Sequence, residues 1–73
     1  MKNAKETINR FIIMCIEQYA LHINKSSKES YVLLENNSIL SELENYYEDL
    51  HGMSTEWLND YFDKHIENGT HTR

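Results

Sequence analysis

Between Thr7 and Ile23 the apolar side chains return every three or four residues: Ile8, Phe11, Ile12, Cys15, Ile16, Tyr19, Ala20 and Ile23. That spacing lines one face of an α-helix, and the adjacent pairs Ile12-Ile13 and Cys15-Ile16 break the alternation a strand would need. The pattern predicts a helix over 7–23, preceded by a polar start with Asn3 as N-cap and stopped at Asn24-Lys25. Ser26-Ser27-Lys28-Glu29 then reads as a capping box. It opens a second helix over 27–36 with Tyr31 and Leu34 as its inward pair. Tyr31-Val32-Leu33-Leu34 could be a strand in isolation, but no second β-type run exists to pair with it.

Asn36-Asn37-Ser38 interrupts the pattern and offers caps for a third helix over 38–51. Its stripe is Ile39, Leu40, Leu43, Tyr46, Tyr47 and Leu50, and Gly52 is placed to end it in the left-handed conformation. Ser54 caps a fourth helix over 55–67, with Met53 stapled onto Leu58. That helix is expected to bury Trp57, Leu58, Tyr61, Phe62 and Ile66, with a possible break at Asn59-Asp60. The expectation is an all-α protein: one domain over 1–73, a compact bundle of about four short helices around the N-terminal one. Its core covers about 7–67, and 68–73 is a polar tail.

The first helix has a second apolar side. At about 100° per residue, Met14 and Leu21 fall opposite the main stripe, beside Arg10 and Glu17, with Ile13 at the flank. A helix apolar on two faces is either central in its domain or covered by a partner, and Leu33 on the second helix raises the same question. Both readings stand at this point. Seventy-three residues lie near the lower limit for a core that holds a fold unaided, so added burial against another chain would be useful.

Charge sharpens the picture. The net charge is −5, but it is unevenly spread. Residues 1–28 carry five basic and two acidic side chains, residues 29–63 carry nine acidic and no Lys or Arg, and 64–73 add a single net positive charge. Such a middle segment repels phosphate backbones and attracts basic surfaces, although an acidic exterior also serves plain solubility. The lone Cys15 excludes an internal disulfide and fits a reducing, cytosolic setting. No secretion signal is visible, and the apolar run 11–16 is far too short to span a bilayer. The acceptor-like triplets at Asn36 and Asn68 therefore carry no glycosylation argument.

Chemistry is scarce. Glu48-x-x-His51 has the carboxylate–imidazole spacing of di-metal bundles, but one such pair is not a site. His51 at a helix C-terminus is explained by the backbone dipole, and His22, His65 and His71 have no ligand-spaced companions. Cys15 points inward, the serines at 26, 27, 38 and 54 serve as caps, and two glycines make no phosphate loop. No catalytic, cofactor or metal residues are assigned, and no enzyme is expected. A helix-turn-helix reader would need basic or amide side chains on its recognition helix, and the third helix is acidic.

Cys15-Ile16-Glu17-Gln18-Tyr19 and Tyr46-Tyr47-Glu48-Asp49-Leu50-His51 resemble a bacterial family catalogued as domain of unknown function 3791. The resemblance runs from about Asn9 to Ile66. It implies a small all-helical protein with an Ile-Glu-x-Tyr/Phe first helix, a middle helix ending in Tyr-x-x-Leu-His, and an acidic, aromatic last helix. Many relatives have Thr after that His, where this chain has Gly52, so no role of that hydroxyl carries over. Relatives are often encoded beside proteins that look like ADP-ribosyltransferases, which implies an antitoxin-like subunit. The resemblance supplies no catalytic residues. The expectation is a non-catalytic, cytoplasmic protein-interaction module whose partner-facing residues are Met14, Glu17, Leu21, Glu44, Glu48 and Asp49. An ADP-ribosyltransferase-like protein is the implied partner and a second copy of the chain an alternative one; neither nucleic acid nor membrane is expected. The other reading is a small DNA-binding or transcription-associated regulator.

Overall fold

The computed structural model describes residues 4–71, with side chains from Lys5 to Asn68. Five helices follow in order: α1 Ala4–Ile23, α2 Ser27–Asn36, α3 Ile39–Asn45, α4 Tyr47–Leu50 and α5 Thr55–His71. The described residues contain no strand. The architecture is all-α, as expected, with α2, α3 and α5 all packed on α1. The N-cap expected at Asn3 lies outside the described residues.

Helix α1 ends at the expected Asn24-Lys25. Asn24 takes the left-handed conformation at φ 59°. Its N–H bonds the Leu21 carbonyl at 3.2 Å, and the Lys25 N–H bonds that of Ala20 at 2.9 Å. This pair of bonds satisfies carbonyls that a helix end would otherwise leave free. Helix α2 then starts in the expected capping box. The Ser26 hydroxyl accepts from the Glu29 N–H at 3.1 Å while the Glu29 carboxylate accepts from the Ser26 N–H at 3.0 Å. The bond from that backbone N–H, and then the one from the hydroxyl, hold Glu29 below the usual carboxylate range.

The inward face of α2 differs from the expected pair. Tyr31 is 42% exposed, and fully buried Ser30 faces inward with Leu34. The i, i+4 pair 30/34 replaces 31/34 because a small residue lets α2 come close to α1. The Ser30 hydroxyl is satisfied there by donating to the Ile16 carbonyl at 2.9 Å. Tyr31 remains at the surface, where its bond to Glu35 raises the phenol pKa.

The third expected helix is two. Tyr46 leaves helical geometry at φ −113°, ψ 29° and separates α3 from α4. An unbroken helix would align Leu43, Tyr46, Tyr47 and Leu50 on one stripe. The break turns Tyr46 out to 56% exposure while Leu50 goes into the core and Tyr47 packs against it. Ser38 is the N-cap of α3 at φ 61°, its carbonyl accepting from the Glu42 N–H at 3.3 Å, but its side chain makes no cap bond. Gly52 does not adopt positive φ, contrary to expectation, and a Cβ there would meet nothing within 4 Å.

Helix α5 starts as expected, with the Trp57 N–H donating to the Ser54 hydroxyl at 3.1 Å. It runs unbroken through Asn59-Asp60 and continues past Glu67 to His71. Asn59 is buried on the helix's inner side, so its side chain is not used as a cap. The core joins Phe11, Cys15 and Tyr19 of α1 to Leu34, Ile39, Leu43, Leu50, Leu58 and Phe62. Phe62 meets the Tyr19 ring edge-on at 5.5 Å, and Phe11 meets Tyr47 edge-on at 5.3 Å. Trp57, expected inside, is 41% exposed.

Candidate partner-binding surface

Helix α1 uses one face for the core, and that fixes what its other face can offer. With Phe11, Cys15, Tyr19 and Ala20 buried, the rotation of the helix carries Ile13, Met14 and Leu21 outward. They are 56%, 47% and 84% exposed. Arg10 shares this side and pairs with Glu6 one turn earlier at 3.6 Å, an exposed pair of little energetic weight. Glu17 lies between Met14 and Leu21, and its carboxylate accepts from the Ser27 hydroxyl at 2.7 Å. The outer side of α1 is therefore a short apolar stripe bordered by one cation and one tethered anion.

Glu44 on α3 and Glu48 and Asp49 on α4 are all exposed. Tyr47 packs on Phe11 of α1 and Leu50 enters the core, while Glu48 and Asp49 stand on exposed positions of α4. Met14, Glu17 and Leu21 thus share one side of α1, and the other three residues belong to α3 and α4. Beside the α1–α2 joint, a shallow groove of about 370 Å³ runs along α2, lined by Lys25, Lys28, Glu29, Val32 and Leu33.

Two carboxylates absent from the expected site organise the packing of α5. Asp63 accepts from the Tyr19 hydroxyl at 2.6 Å and pairs with His22 Nε2 at 2.8 Å. Glu42 accepts from the Tyr61 hydroxyl and pairs with His65 Nε2 at 3.3 Å. Each carboxylate thus holds one phenol and one imidazole, and α5 is tied to α1 by the first set and to α3 by the second. Burial, followed by the bond to Asp63, raises the Tyr19 pKa well above its usual value. Burial and then Glu42 push that of Tyr61 up to about 12. The sequence signal was present in the i, i+4 spacing of Tyr61 and His65, but the acceptor came from a helix nineteen positions away from Tyr61.

Cys15 is fully buried, and desolvation pushes its thiol up to about 12. His51 stacks on Tyr47 at 4.5 Å with Nδ1 2.9 Å from the Tyr47 carbonyl, the helix-end role expected of it. Among the described residues no three His, Cys, Asp or Glu side chains form a metal-holding group, and no helix is long and apolar enough to cross a membrane.

The family model described as "Protein of unknown function (DUF3791)" matches residues 10–68. The chain belongs to the DUF3791 family. No curated protein and no solved structure matches it. In this DUF3791 protein the matched segment spans all five helices in whole or part, from the second turn of α1 to the later turns of α5. Both the outer stripe of α1 and the two carboxylate–phenol–imidazole sets lie inside it.

Proposed function

We propose that this DUF3791 protein is a non-catalytic interaction module that docks a protein partner on the outer face of α1. The observation that carries the reading is the exposure of Ile13, Met14 and Leu21 on one side of a helix whose opposite side already fills the core. Large apolar side chains grouped on one surface mark association sites more often than isolated ones do. The partner we propose is an ADP-ribosyltransferase-like protein, with the module acting as its antitoxin-like subunit in a bacterial cytoplasm.

The test is a paired substitution, Met14→Glu with Leu21→Glu, in protein co-expressed with an adjacent ADP-ribosyltransferase-like protein. Retained helicity and thermal midpoint with loss of co-purification supports the docking face. A variant that unfolds, or one that still captures the partner at wild-type level, sinks it. Sedimentation of the wild-type chain alone separates this from self-association: a dimer dissociated by the same substitutions would make a second copy the occupant.

A further inference from the structure

Leu33 is an apolar side chain of α2 that neither the core nor the outer stripe of α1 uses. It is half-buried and stands next to Val32, which is 42% exposed. Lys28 and Glu29, both exposed, lie one turn earlier, because 28/32 and 29/33 are i, i+4 pairs on adjacent rows of the helix. With Lys25 from the α1–α2 joint, these four line the groove of about 370 Å³. The groove is therefore charged at one end and apolar at the other, roughly 5–6 Å away.

The charges at the first end are not equivalent. Glu29 Oε1 is held by the N–H and the hydroxyl of Ser26, so this carboxylate is committed to the start of α2. Lys25 and Lys28 form no ion pair among the described residues. A purely apolar occupant would leave both ammonium groups unanswered, and a basic one would be repelled. A phosphate backbone has no apolar group for Val32 and Leu33, and the nine acidic side chains of residues 29–63 repel it. A helix with an apolar side chain and a carboxylate one turn away suits both ends. We propose that the groove docks an acidic amphipathic helix of a protein partner, apolar side chain over Val32 and Leu33, carboxylates on Lys25 and Lys28. The groove shares no residue with the outer stripe of α1, so the inference goes beyond the docking face proposed above and does not depend on it.

The full chain is titrated at low ionic strength into a fluorescein-labelled helical peptide bearing Leu with Glu four residues away. A twin peptide has Gln in place of Glu. Anisotropy is expected to rise saturably and fall back with added salt, the Gln twin binding about three- to tenfold more weakly. Lys28→Glu, an exposed change that suits the first turn of a helix, is expected to weaken binding at least as much with the circular dichroism spectrum unchanged. Val32→Gln, at the apolar end, is expected to weaken it by a similar factor. The proposal is overturned by no saturable rise at millimolar protein, by equal affinity for the two peptides, or by an unaltered Lys28→Glu titration. Binding of duplex DNA or phosphatidylserine vesicles that Lys28→Glu abolishes and Val32→Gln spares would give the groove to a polyanion instead. A wild-type chain that sediments as a salt-sensitive oligomer, monomeric as Lys28→Glu, would give it to the chain's own acidic helices. The neutral variant Met14→Ser with Leu21→Ser is expected to keep the peptide response, and its loss there would overturn the groove as a separate site. Partner capture abolished by Met14→Glu with Leu21→Glu, beside a flat peptide titration, would sink the groove alone. The reverse pattern would sink the docking face of α1 alone.

Discussion

Met14 and Cys15 are neighbours on α1, and the fold treats them in opposite ways. Cys15 has no exposed surface and belongs to the buried core, whereas Met14 is half exposed with Leu21 still more open one heptad on. Burying an apolar side chain contributes roughly 1.5–3 kcal/mol, so the inner face supplies much of the stability of a domain this small. The outer face has the same kind of side chains and contributes little to folding. Apolar surface that the fold does not use is then available for a function, and the contrast between the faces is measurable.

The largest expected effect is on the inner side. Phe62→Ala removes the ring that meets Tyr19 and should cost about 3–5 kcal/mol, enough to unfold a domain of this size. Circular dichroism reads it, and a variant that melts like wild type would break the contrast. Alkali should attack the same side. The Cys15 thiol and the Tyr19 and Tyr61 phenols all have folded pKa values raised above their ordinary 9.0 and 10.0. The unfolded chain therefore gives up these protons first. The stability they contribute is complete below about pH 9 and is lost as pH rises toward about 12. A urea midpoint that stays flat across that window would contradict the burial of these groups.

Smaller effects refine the boundary between the faces. Ser30→Leu crowds the closest approach of α2 to α1 and is expected to cost about 1–3 kcal/mol by denaturant titration. Ser26→Ala removes the cap of α2 and should cost about 1 kcal/mol in the same assay. Leu21→Ser, on the outer side, should shift stability by no more than about 0.5 kcal/mol. A large loss there would mean that the outer stripe belongs to the core after all.

Much of this fold was legible in the sequence wherever a local rule had no competitor. The α1 stripe, the Ser26–Glu29 box and the Ser54 cap depend on residues within a turn or two of each other, and all three form. The misplacements share one cause. Tyr31, Tyr46 and Trp57 are large and lie close to an inward stripe, so periodicity alone puts them inside. The structure instead seats Ser30 against α1, breaks α3 from α4 at Tyr46, and fills the α5 core with Leu58 and Phe62. Which of two neighbouring positions faces inward was decided by how closely helices approach, and a single chain's spacing does not encode that. The outer stripe of α1 was readable because it follows from rotation about one helix. The Glu42 and Asp63 sets were not, since each joins residues from different helices.

Cys15 has a practical consequence. As the sole sulfhydryl and a fully enclosed one, it meets a thiol reagent only in molecules where α1 has pulled away from its neighbours. Its labelling rate thus counts opening events directly, without any engineered probe. A partner seated on the far side of the same rod would reveal itself by slowing that clock, even though it never touches the sulfur.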